Sequence, residues 1–179
     1  MSKKRAIVGD LSVSLVRGMP LAEEAGMGAL TIPGYLNEVC KRYGDQEAIV
    51  IHTPQGVVRW SYNELRKHSV DVAKTLIAAG VGKDTRVGIL MTNRPEYLSM
   101  LFGIALAGGV SVALSTFSTP DELEHLLSAS AISLLVFEDK VLKKNFAAIL
   151  TELEPNIKQS APGKLESTKF PFLKQFVRL

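Results

Sequence analysis

The sequence predicts an α/β protein, a layered αβα body around a mainly parallel sheet. Three observations predict it. Short apolar strands alternate with helical segments between Arg86 and Phe137, the order that yields parallel strands joined by crossover helices. Three helix starts carry capping signals, "SYNE", "NRPE" and "TPDE". The stretch from Tyr97 to Pro120 has no charged side chain, yet glycines cut it in the middle.

That stretch decides between a membrane span and a soluble core. A spanning helix needs about 20 apolar residues without interruption. Here Gly108 and Gly109 intervene, and Val110, Val112 and Leu114 then alternate with Ser111, Ala113 and Ser115. The alternation and the β-branched residues indicate a strand. Before the helix, Val87 to Met91 forms another apolar strand. Asn93 is placed as the N-cap, with Pro95 in the first turn and Glu96 three residues after the cap. A helix apolar nearly all round, lying between apolar strands, is a crossover covered on both sides.

The other elements follow in order. Cys40 falls in the helical pattern "YLNEVCKRYG" and reads as a small buried hydrophobe. Glu47–His52 and Val57–Trp60 flank the turn "TPQG" as a hairpin. Ser61 and Glu64 form a capping box for a helix that runs to about Ala79 and stops at Gly80. Leu65, Ser69, Val72, Leu76 and Ile77 share its buried face, while Arg66, Lys67, Asp71 and Lys74 face water. Thr119 caps the next helix, with Pro120 at its first position and Leu123, Leu126 and Leu127 as its buried stripe. Ala131–Glu138 reads as a buried strand, Lys140–Leu153 as a helix, and "FLKQFVRL" as a last strand. The resulting division is an extension at 1–29, an α/β subdomain at 30–153, a polar linker loop at 154–169 and a terminal strand of the same subdomain at 170–179.

Composition narrows the function. The 179 residues carry a formal charge of +3, with the basic residues scattered rather than gathered on one face. Nucleic-acid binding needs such a face, so no nucleic-acid partner is expected. Cys40 is the single cysteine, which excludes an internal disulfide. Asp10 and Arg17 interrupt the apolar start, which makes a poor signal peptide. A cytoplasmic protein without a transmembrane segment is the expectation.

The usual catalytic constellations are absent. "GVGKD" and "PGKLES" lack the spaced glycines and the hydroxyl of a phosphate loop. "GMGAL" lacks the third glycine of a dinucleotide fingerprint. His52, His68 and His125 stand far apart without metal-ligand spacing. Trp60 reads as core packing rather than a stacking platform. One cluster stands out: Lys140, Lys143 and Lys144 follow the strand Ala131–Phe137. Ligands of open α/β sheets bind beyond the carboxyl ends of strands. The cluster is therefore either a phosphate contact or a solvated helix start.

The ordered set of segments resembles a known family. "GDQEAIVI" is similar to its opening strand. The block "WSYNELRKHSVDVAKTLIAAGVGKDTRVGILMTNRPEYLSMLFGIALAGGVSVALS", followed by "TPDELEHLLSASAISLLVFED", resembles the amino-terminal part of the AMP-forming acyl-CoA synthetases. These belong to the adenylate-forming superfamily, which also holds luciferases and peptide-synthetase adenylation domains. The likeness covers about Leu30 to Asp139. It departs at Ala113, where relatives often have proline, and at Ser115-Thr116, where they often have Asn-Pro.

The resemblance implies the N-terminal subdomain of the adenylate-forming ligase fold. It implies a ligase for fatty or aryl acids that joins the carboxylate to AMP, releases pyrophosphate and passes the acyl group to coenzyme A. ATP, magnesium and coenzyme A are thus cofactors and substrates of the full-length relative, and none is expected on these residues. The Ser/Thr/Gly-rich loop ending in lysine, the later ATP-pocket residues and the catalytic lysine of a small C-terminal domain have no counterpart here. No catalytic or metal residue is carried over, and Lys140, Lys143 and Lys144 stay as candidates for a coenzyme A phosphate. The expectation is a structural fragment inactive alone, whose partner is the remainder of a ligase chain, or a second copy through an exposed apolar face. The alternative is a stand-alone binding module that keeps the scaffold without the chemistry.

Overall fold

In the computed structural model, residues 31–54 and 56–179 are described; the expected 1–29 extension lies outside them. The described residues begin with α1 (Ile32–Tyr43) and a hairpin of β1 (Glu47–Thr53) and β2 (Gly56–Ser61). Next come α2 (Tyr62–Ala78), β3 (Arg86–Leu90), α3 (Pro95–Leu106), β4 (Val110–Ala113), α4 (Pro120–Ala129) and β5 (Leu134–Phe137). It ends with β6 (Lys140–Val141), β7 (Lys144–Asn145), α5 (Phe146–Leu153) and β8 (Gln175–Arg178). The main sheet has the order β4-β3-β5-β8 with every pair parallel.

Both faces of this sheet are covered, as the unbroken apolar strands require. Val87 and Ile89 of β3 and Leu134 and Val136 of β5 pack with Leu76, Met100 and Ile104 of α2 and α3. Leu90, Leu135 and Phe137 point the other way, onto Leu123 and Leu127 of α4 and Phe146 and Leu150 of α5. The period of two in each strand thus feeds two separate cores. A third core joins α1 and the hairpin to the outer side of α3, through Leu98, Phe102 and Leu106. That is why α3 has no polar face: it is packed from both sides. Cys40 lies in this third core, where burial pushes its thiol up, and its Sγ donates to the Tyr62 carbonyl at 3.2 Å. Trp60 packs there too, half-buried and stacked on His68 at 4.2 Å.

Local chemistry sets most boundaries. Gly108 takes φ +81° after α3, and the Gly108 and Gly109 N–H groups return to the Ala105 and Ile104 carbonyls. This closes the helix and turns the chain into β4. Capping boxes open α2 at Ser61 and α4 at Thr119. In each box the glutamate accepts first from the cap residue's N–H and second from its hydroxyl, which holds Glu64 and Glu122 below the ordinary value of 4.5. A carboxylate depressed on folding stabilises fully above its unfolded pKa, and the benefit disappears as pH falls through the folded one. Urea midpoints taken between about pH 6 and pH 3 should therefore fall less steeply for a Glu64→Gln/Glu122→Gln variant than for the natural chain. Equal slopes would remove the boxes from the acid response.

Four expectations are corrected. The N-cap of α3 is Arg94, not Asn93, and it has no side-chain cap bond. The residue before a proline is kept extended, so the boundary sits directly before Pro95; Arg94 has φ −137° and ψ 160°. Residues 140–145 are not helical. They form the β6–β7 hairpin, and α5 starts only at Phe146, capped by Asn145, whose side chain accepts from the Ala148 N–H. Ile77 is exposed rather than on the buried face of α2. The 154–169 loop is more than a polar linker, because Leu165 is buried against the α4–α5 core.

Candidate functional site

Beyond the carboxyl ends of β3, β4 and β5 lies a pocket of about 960 Å³. The ladder continues past the strands to shape it. Leu114 N–H donates to the Ile89 carbonyl and Glu138 N–H to the Leu90 carbonyl, each at 2.9 Å. The three strand ends are thereby held abreast. β4 and β5 lie on opposite sides of β3, so the chain changes direction across the sheet here, where ligand crevices of open α/β sheets form. Met91, Leu114 and Val141 contribute buried apolar walls.

One wall is a polar network. Glu138 accepts from the Thr92 N–H at 2.9 Å and the Thr92 hydroxyl at 2.7 Å. Its other oxygen lies 3.5 Å from Arg94 Nη1. Arg94 Nε donates to Glu96 at 2.8 Å. Burial works against the charge on Glu96, but the hydrogen bond and charge of Arg94 outweigh it, and the carboxyl sits below its usual range. The network ties the ends of β3 and β5 to the start of α3. Glu138 is thus committed as a brace. Sequence reasoning passed over Thr92 and Glu138; a polar residue at or just after the carboxyl end of a predicted strand was the signal that would have found them.

The lysines divide. Lys144 Nζ donates to the carbonyls of Thr116 at 3.0 Å and Ser118 at 2.8 Å. It clamps the β6–β7 hairpin to the β4–α4 loop and is half-buried. Lys140 and Lys143 line the pocket from its rim, exposed, and form no ion pair among the described residues. The structure thus brings the three together at the strand ends, with two of them available to an anion. His52, His68 and His125 do not reach the pocket. Among the described residues, no group of three His, Cys, Asp or Glu is placed to hold a metal ion, and no helix is long and apolar enough to cross a membrane.

Comparison with known proteins matches residues 36–173 to a family described as AMP-binding enzyme. The YngI protein of Bacillus subtilis (strain 168) is 31% identical over 147 residues, which cover 82% of this chain and 26% of that protein. The acyl-CoA ligase SID4 of Ajellomyces capsulatus is 31% identical over 139 residues, 77% of this chain and 23% of that one. Among solved structures, a fatty acyl CoA synthetase of Mycobacterium tuberculosis superposes with a TM-score of 0.63 at 21% identity, covering 83% of this chain and 26% of that chain. A long-chain-fatty-acid-CoA ligase of Archaeoglobus fulgidus does so with a TM-score of 0.64 at 15% identity, covering 84% of this chain and 27% of that chain. At these identities the superpositions speak to the fold. The chain spans about a quarter of the length of the curated relatives it matches.

Proposed function

The chain belongs to the AMP-binding enzyme family, and from that premise we propose that it is the amino-terminal α/β body of an AMP-forming acyl-CoA ligase. The reaction is carboxylate plus ATP plus coenzyme A to acyl-CoA, AMP and pyrophosphate. The observation that carries the reading is the family match over residues 36–173, which takes in every strand of the sheet except β8.

These residues act as framework in that reaction. Their part is to hold three strand ends abreast, wall an apolar crevice and brace it through Thr92, Arg94 and Glu138. Lys140 and Lys143 are the groups that fit a phosphate, whereas Lys144 is spent on loop carbonyls. Magnesium does not fit this pocket: its one carboxylate, Glu138, already serves Thr92 and Arg94. Adenylation builds negative charge on phosphoryl oxygens, and stabilising it takes several converging donors and a metal. The 179 residues contain no counterpart of the Ser/Thr/Gly-rich loop ending in lysine to supply them.

The chain alone should therefore give no ATP–pyrophosphate exchange above a no-protein blank, with a panel of fatty and aryl acids. A longer product of the same reading frame that holds the phosphate loop should give exchange. Exchange by the 179 residues would overturn the framework role. A longer product that folds and binds ATP yet exchanges with no carboxylate would overturn the ligase reading.

A further inference from the structure

The β6–β7 hairpin is too slight to hold its own place. Its ladder has two pairs, Lys140 with Asn145 and Val141 with Lys144, and it joins no other strand among the described residues. A two-stranded hairpin by itself is marginal in water. The turn adds strain. Leu142 sits at φ +54°, the left-handed region that favours glycine, and its side chain is 93% exposed, so packing does not compensate. The hairpin is therefore fixed from outside. Val141 is buried in the α4–α5 core, and the Phe146 N–H closes the base on the Asp139 carbonyl. Lys144 anchors the other strand, next to the turn. Its Nζ donates to the Thr116 and Ser118 carbonyls, on either side of Phe117, which is 83% exposed. An ammonium has three donors, and two are taken here by backbone. The Glu122 carboxyl, held low first by the Thr119 N–H, feels the charge of Lys144 as well. Lys144 is thus engaged with the β4–α4 loop and the start of α4, while Lys140 and Lys143 stay exposed at the pocket.

We propose that Lys144 is a positioning residue: it fixes the hairpin so that Lys140 and Lys143 meet a phosphate of coenzyme A, and does not touch that phosphate itself. The inference rests on the ligase reading above. A binding group has to stand within about 0.5 Å of its productive position. Lysine side chains are long and flexible, so the backbone beneath them decides where their charge can be held. Lys143 is the chain neighbour of Lys144, and Lys140 lies one pair back across the ladder. Releasing Lys144 loosens the footing of both.

The test is Lys144→Met, which keeps the length of the side chain and removes its donors. In the chain without ligand it should speed amide hydrogen exchange across residues 140–145. It should also weaken binding of 3′,5′-ADP by about tenfold, the low end of what losing an orienting partner costs at metal sites. Lys144→Arg keeps the charge and the donors and should restore both. Lys140→Ala/Lys143→Ala should abolish 3′,5′-ADP binding and leave the exchange as in the natural chain. In the longer product of the reading frame, Lys144→Met should raise the KM for coenzyme A by about tenfold and move the KM for ATP far less. A general loss of fold would not give that split.

Several results would overturn the proposal. Weakened binding with unchanged exchange would make Lys144 a direct phosphate contact. Faster exchange with unchanged binding would reduce it to a structural tie. A KM effect confined to ATP, or no 3′,5′-ADP binding by either the chain or the longer product, would also sink it. A longer product without ATP–pyrophosphate exchange counts against the ligase reading alone, because 3′,5′-ADP binding still decides the role of Lys144.

Discussion

Gly103→Val should cost about 3 kcal/mol or more, read as a lowered urea midpoint with an unchanged slope. Gly103 lies in α3 where that helix crosses α2. A β-carbon built there would stand 2.4 Å from Val72 Cγ1, 2.7 Å from Val72 Cβ and 3.0 Å from the Ser69 carbonyl oxygen. None of these can move aside cheaply. The Ser69 oxygen is helix backbone, and Val72 Cβ is fixed to it three residues on. Ser69 is fully buried, with its hydroxyl donating to the Leu65 carbonyl at 2.7 Å. Accommodating valine means parting α2 from α3, and the Leu76–Met100–Ile104 core lies in that seam. Alanine at the same site separates two effects. Its helix propensity is worth about 1 kcal/mol over glycine, while overpacking costs about 1 to 3 kcal/mol. A net loss for alanine identifies the steric term; a net gain would show that α2 and α3 slide freely and would refute the argument.

Truncation of Phe146 to alanine should be as damaging, at about 3 to 5 kcal/mol, or roughly 10 °C in thermal midpoint for a body of this size. Phe146 is wholly buried and opens α5. Its N–H donates to the Asp139 carbonyl at 2.9 Å, closing the β6–β7 hairpin at its base. Its ring sits in the core shared by Leu123, Leu135 and Leu150. The loss should reach the pocket as well, since the hairpin is one wall of it. Limited proteolysis should then cut the variant first around residues 140–145. An unchanged midpoint, or first cleavage elsewhere, would refute this coupling.

How far the fold was legible depends on the range of the interactions that set each element. The capping boxes at Ser61 and Thr119 lie within one helical turn, so their residues announce them. The same holds for the glycine stop after α3 and for the alternation in β3 and β5, where side chains of one strand need only choose between two faces. The N-cap of α3 falls at Arg94, one residue after the expected Asn93, because the proline constraint overrides the better capping residue. Residues 140–145 were misread because "DKVLKKN" carries good helix formers and no glycine. Its turn is forced on Leu142 by two contacts distant in sequence: Lys144 reaching back to Thr116 and Ser118, and Phe146 filling the core.

The candidate site shows the same division. The strand-end rule led to Lys140, Lys143 and Lys144, but only three-dimensional contacts told the clamp, Lys144, from the two lysines left at the rim. Thr92 and Glu138 are 46 residues apart and meet only because β3 and β5 are neighbours in the sheet.

By itself, then, the sequence determined a mainly parallel α/β body, the capping boxes of α2 and α4, the glycine stop after α3, and the family it resembles, because hydrophobic period and backbone capping act over a few residues. The tertiary structure alone decided the β6–β7 hairpin, the brace at the strand ends and the exposure of Phe117 and Leu142. Those depend on which distant segments come to share a carbonyl, a carboxylate or a core, and no short stretch of chain carries that information.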